Sequence, residues 1–179
     1  MPSKLAKVQK HIAKKKGSKV NSLHENSRDA KRLRRAGARD DRVAKGSASR
    51  ERHNEPWLNR VAFVKERLPD TLHPLSVDKI QGIIVEYLTR NDEEINVLQV
   101  ERRPGRPASA RQWVLEDQKR MEQRQYEKGF WLPNLQDEET LVKLDQWQGD
   151  WVGLAVLRFI RVDQSGAVQE SQFPPRGSS

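Results

Sequence analysis

The stretch Ser76-Val77-Asp78-Lys79-Ile80-Gln81-Gly82-Ile83-Ile84-Val85-Glu86-Tyr87-Leu88-Thr89-Arg90-Asn91-Asp92 decides the fold class. Ile80, Ile83, Ile84, Tyr87 and Leu88 recur at intervals of three and four, which places them on one broad helical face, and Ser76 can cap that helix after the Pro74 turn. Upstream, Pro56 stands where a helix can begin, and Trp57, Val61, Val64 and Leu68 continue the same period up to Pro69. Downstream, Asp92, Glu93 and Glu94 suit the positive start of a shorter helix that carries Ile95, Leu98 and Val97. Three helices are thus expected to form the core, and the chain is expected to be mainly α.

Beyond them, Arg102-Arg103-Pro104-Gly105-Arg106-Pro107 has to be a loop, because neither proline nor glycine suits a helix interior. Ser109 with Gln112 forms a capping-box pattern that opens a long charged helix closing at Gly129. That helix carries Trp113, Val114, Leu115 and Met121, then mostly charged residues, so its second half is expected to project or to cover something polar. Phe130-Trp131-Leu132-Pro133 reads as an irregular hydrophobic link. Asp137 can begin another helix, with Leu141, Leu144 and Trp147, that ends at Gly149. From Trp151 to Val162 β-branched and aromatic residues replace the helical pattern, and Asp163 to Gly166 is turn-like before a weaker run, Ala167 to Phe173. The expectation is a short C-terminal strand or hairpin that either pairs with the domain or extends a partner's surface.

Charge divides the chain. Residues 1–52 hold 17 Lys and Arg against 5 Asp and Glu, whereas residues 53–179 hold 17 against 20. Clustered cations gain by releasing counterions from a polyphosphate and gain little by packing, so the arm reads as a nucleic-acid contact. No Trp, Tyr or Phe precedes Trp57. The arm is therefore expected to lack a core of its own and to be disordered, or helical only when bound. Within it, a helical segment from about Ser22 to Ala44 would present Arg28, Lys31, Arg32, Arg34, Arg35, Arg39 and Arg42 around most of its circumference, and Gly46 to Asn54 reads as a linker. The organisation expected is a basic arm at 1–52, a helical domain at 53–150, an extended strand or hairpin segment at 151–173 and a tail at 174–179.

The chemistry that is missing narrows the function. There is no cysteine, and there is no phosphate-binding glycine loop, H-E-x-x-H or G-x-S-x-G motif. His11, His24, His53 and His73 fall outside any ligand spacing, and the acidic pairs sit where helix dipoles already account for them. No catalytic residue, cofactor or metal is expected. No apolar run approaches the roughly 20 residues that span a bilayer, so no membrane association is expected. Met1 to Lys16 lacks the apolar core of a secretory signal, and its Lys-rich, Ser-poor character argues against a mitochondrial transit peptide. Lys14-Lys15-Lys16 with Lys31-Arg32 and Arg34-Arg35 reads as nuclear import signal and RNA contact combined. Arg103 to Pro107 resembles a minor-groove hook, but Pro104 stands where that motif has an arginine; a turn with exposed Arg103 and Arg106 ranks first, RNA contact second and AT-rich DNA third. The tryptophans read mainly as core residues rather than base-stacking platforms.

Leu23-His24-Glu25-Asn26-Ser27-Arg28-Asp29-Ala30 carries a His-x-x-Ser-Arg-x-Ala pattern within a basic arm. Tyr87-Leu88-Thr89-Arg90, Gly105-Arg106, Arg111, Tyr126-Glu127, Pro133 and Trp147 follow in order. Together they resemble the translation machinery-associated protein 16 family over much of residues 20–150. The resemblance implies a nuclear, nucleolar to nucleoplasmic, non-enzymatic assembly factor that binds precursors of the large ribosomal subunit and acts by occupancy as a monomer within the particle. It implies an arm that follows ribosomal RNA through Lys14, Lys15, Lys16, Lys19, His24, Arg28, Lys31, Arg32, Arg34, Arg35, Arg39 and Arg42. Ser27, Arg103 and Arg106 are counted as further candidate RNA contacts. The mildly acidic helical body would then sit beside ribosomal proteins and other assembly factors. An architectural protein of chromatin or AT-rich DNA is the alternative.

Overall fold

The computed structural model describes residues 3–17, 23–69, 73–103 and 105–175. Ser18, Lys19, Pro104 and the tail from Arg176 to Ser179 lie outside them, as do the expectations placed on those residues. The chain is mainly α, with helices α1 (Lys4–Lys16), α2 (Arg28–Glu66), α3 (Val77–Thr89), α4 (Asp92–Glu101), α5 (Ala110–Lys128) and α6 (Glu138–Gln146). Strands β1 (Phe130–Pro133), β2 (Phe159–Val162) and β3 (Val168–Ser171) form an antiparallel sheet in the order β1-β2-β3. Two compact units divide the chain within α2, at Glu55 and Pro56.

In the second unit, α3 buries Ile80, Ile84, Tyr87 and Leu88, the face that its three-and-four spacing marks. The core is nevertheless not three helices alone. Val61 and Val64 from α2, Leu141 and Leu144 from α6, and Leu154 close around all four residues of β1, and fully burying each large apolar side chain is worth roughly 1.5–3 kcal/mol. β1 corrects the expectation of an irregular link. Phe130, Trp131, Leu132 and Pro133 pair with Val162, Arg161, Ile160 and Phe159. The run is too short and too uniformly apolar to alternate, because both of its faces are buried. The C-terminal hairpin therefore pairs with its own domain. Its turn is held by Asp163, whose Oδ1 accepts from the Ser165 and Ala167 backbone N–H groups at 2.9 Å each.

Several element boundaries differ from expectation. Residues 46–54 are helix rather than linker, with Ser47 Oγ donating to Glu51 Oε1 at 3.0 Å and Arg52 Nε donating to the Ala48 carbonyl at 3.2 Å. Pro56 lies inside α2 and not at its start; the helix forgoes one backbone bond there and continues to Glu66, short of Pro69. Val152–Val156 is a 3-10 turn, so the expected strand from Leu154 is shortened to Phe159–Val162. Only Leu154 of that turn is buried, and Asp150 Oδ2 accepts from the Gly153 N–H at 2.8 Å to start it.

α5 shows what its irregular register covers. Gln112, Leu115 and Glu122 face inward, whereas Trp113, Val114 and Met121 are exposed. Glu122 makes two hydrogen bonds with Arg90 at the end of α3. Next to this pair, the buried Arg60 guanidinium lies 4.0 Å over the Phe130 ring and 4.9 Å over Trp57, and donates to Gln125 Oε1 at 2.8 Å. Burial pushes the Arg60 guanidinium below its ordinary pKa, while Tyr87 and Glu122 oppose that shift. The second half of α5 covers a buried polar cluster, as its charged sequence requires.

Candidate nucleic-acid interface

The first unit is a helical hairpin with a small apolar contact. Val8 and Ile12 of α1 are buried against Ala36 of α2, with Leu5, Leu23 and Leu33 packed beside them. This corrects two expectations: the arm has a core of its own, and the first part of α2 has a packed face. The signal was present in the Leu5, Val8, Ile12 period of α1, whose partner needs only a small residue at the point of closest approach.

The N-terminal ends of α1 and α2 are tied by side chains. Ser3 Oγ accepts from the Ala6 N–H at 3.1 Å. From across the hairpin, Asp40 accepts from the Lys4 and Leu5 backbone N–H groups at 3.3 and 2.7 Å. The Leu5 bond, helped by Lys4, Ser3 and Arg39, holds the Asp40 carboxyl below its ordinary pKa. Ser27 Oγ caps α2 by accepting from the Ala30 N–H at 3.1 Å. His24 Nδ1 accepts from the Asn26 N–H at 3.2 Å, and Arg34 Nη2 donates to the Glu25 carbonyl at 2.7 Å. His24, Ser27 and Arg34 thus build the turn between the helices.

The remaining arm cations separate by position. Arg28, Lys31, Arg32, Arg35, Arg39 and Arg42 stand at relative positions 0, 3, 4, 7, 11 and 14. On an α-helix that spacing is one longitudinal stripe rather than a ring, and the fourteen-residue interval spans about 21 Å. All six side chains are exposed. Arg28, Lys31, Arg32, Arg35 and Arg39 line a groove of about 650 Å³ together with Lys4, Val8, Asn26 and Ala36. Lys4 and Asn26 were missed at the level of sequence. The membership of Lys4 depends on where α1 lies against α2, a long-range register that the local apolar period does not specify.

Lys14 and Lys15 are exposed on the last turn of α1, which Lys16 closes; Lys19 lies outside the described residues. Arg103 and Arg106 belong to the second unit, exposed in the loop between α4 and α5, where the Arg106 N–H donates to the Arg103 carbonyl at 3.1 Å and Gly105 has a φ of 82°. That geometry is a turn. Among the tryptophans, Trp131 stacks on Phe159 at 4.2 Å and meets Trp57 edge-on at 5.2 Å, leaving Trp113 as a tryptophan with a mostly exposed side chain. Among the described residues no group of three or more His, Asp or Glu could hold a metal ion, and no helix is long and apolar enough to cross a membrane.

Among the described residues the groove lining holds cations and no carboxylate. Such a surface can bind a row of phosphates by releasing their counterions, without base-specific chemistry. The model of the family described as "Translation machinery-associated protein 16" matches residues 19–164. The chain belongs to this family. A Saccharomyces cerevisiae protein named "Translation machinery-associated protein 16" is 30% identical over 173 residues, covering 90% of this chain and 92% of that protein. The match to the Tma16 family model takes in the stripe on α2, the whole of α3 to α6 and β2, while α1 precedes it.

Proposed function

We propose that this member of the Tma16 family associates with the translation machinery at the stage of its construction, as a non-enzymatic factor bound to precursors of the large ribosomal subunit. The arm lies on ribosomal RNA through the α2 stripe, and the mildly acidic body sits beside basic ribosomal proteins and other assembly factors. It acts in the nucleus, between nucleolus and nucleoplasm, by occupying an immature surface until it is displaced. The observation that carries this reading is the groove lining, which brings together the cations Lys4, Arg28, Lys31, Arg32, Arg35 and Arg39. Family membership favours ribosomal RNA over other polyphosphates.

The test is to purify tagged full-length protein and a variant with Arg28, Arg32, Arg35 and Arg39 changed to alanine from nuclear extract, and to sequence the recovered nucleic acid. Large-subunit precursor RNA that is enriched with the parent and depleted with the variant is the expected result. Recovery of AT-rich DNA in its place would replace the proposal with an architectural role on chromatin.

A further inference from the structure

The α1 wall of the groove exists only while α1 is docked. A helix of 13 residues is marginal alone, and α1 is rich in lysine with only Leu5, Val8 and Ile12 to bury. Docking brings Lys4 into the lining of the groove that Arg35 and Arg39 share. Asp40 fastens the same end of α1, through the Lys4 and Leu5 backbone N–H groups. The stripe cations of α2 recur every one to four residues along about 21 Å of one helix face, a row long enough to follow several successive phosphates of one strand.

We infer that the groove is a preformed, two-walled lane for a single RNA phosphodiester strand, and that Asp40 is the positioning residue that keeps its Lys4 wall in place. This deepens the RNA reading proposed above and rests on it. The inference has a sign that distinguishes it from net electrostatics. Asp40 is an acid beside a phosphate site, so on charge alone its removal strengthens binding. As the tie that docks α1, its removal weakens binding, because Lys4 leaves the lane and the ordering of α1 must then be supplied by the RNA.

Two variants of the full-length chain separate these effects, because Asp40→Asn and Asp40→Ala lose the same charge while only asparagine keeps a capping acceptor. Affinity is measured for a short fluorescent oligouridylate, with hydrogen exchange of the α1 amides read on the same samples. Asp40→Asn is expected to bind at least as tightly as the parent with α1 protected. Asp40→Ala is expected to bind several-fold more weakly with α1 protection lost. Binding by Asp40→Ala as tight as that by Asp40→Asn overturns the lane. If the parent itself fails to bind oligouridylate or any ribosomal RNA fragment, the RNA reading fails, and the lane with it.

Discussion

Arg90 and Glu122 meet through two parallel hydrogen bonds of 2.7 and 2.8 Å, joining the end of α3 to the middle of α5. Arg90 also donates to the Tyr87 carbonyl and lies 3.7 Å over the Tyr87 ring. The pair is largely shielded from water, with side-chain exposures of 18% and 9%. Glu122→Ala leaves Arg90 uncompensated next to the buried Arg60, and breaking a buried pair from one side is strongly destabilising. Chemical denaturation is expected to show a loss of about 3 kcal/mol. A loss within the range of an exposed ion pair would contradict the importance of this contact.

Gly129 joins α5 to β1 with a φ of 121°, and a Cβ there would lie 3.2 Å from Arg161 Cβ. Backbone strain and the approach of β2 therefore oppose any side chain at this position. Gly129→Ala is expected to cost about 1–3 kcal/mol of stability, read by thermal or urea unfolding. An unchanged midpoint would show that the β1 entry can relax.

Asp40 gives the hairpin a defined acid response. Its folded pKa is lowered, chiefly by the Leu5 N–H bond, so its contribution is complete above the unfolded carboxylate value of about 3.9 and is lost as pH falls through the lower folded value. Following the Leu5 amide by NMR should give a titration midpoint below that of the same aspartate in an unstructured peptide. A midpoint at or above the peptide value would contradict the tie between α1 and α2.

The mainly α class and the α3 core face were legible because a three-and-four apolar period is local, as were the Ser109 cap of α5, whose Oγ accepts from the Gln112 N–H at 3.1 Å, and the Asp163 to Gly166 turn. β1 was not, because four apolar residues in a row carry no period and become a strand only when β2 arrives from thirty positions away. The arm's stripe was written in the sequence: positions 28, 31, 32, 35, 39 and 42 fall on one helical face, and reading them as a ring overlooked that phase. Their convergence with Lys4 was not written there. It depends on Ala36 being small enough for α1 to approach and on Asp40 reaching back across the hairpin. His24, Ser27 and Arg34 entered as RNA contacts through the family resemblance and the charge of the arm; the structure places all three in the turn that joins α1 to α2.

The stripe also separates cations of equal charge. If the six α2 cations and not their charge alone carry binding, replacing Arg32, Arg35 and Arg39 by alanine should flatten the slope of log affinity for oligouridylate against log salt by about 0.7 per residue. Replacing Lys10, Lys45 and Arg52, which lie outside the groove lining, removes the same charge and should change the slope less. Equal flattening by both triple variants would show that only the net charge of the arm matters.

The most direct test of the central claim is ultraviolet cross-linking of the full-length protein in growing cells, with sequencing of the attached RNA and mass mapping of the attached peptide. The account predicts cross-links between large-subunit precursor RNA and α1–α2 peptides spanning Lys4 to Arg42. Cross-links confined to the second unit, or to RNA outside the large-subunit precursors, would contradict it.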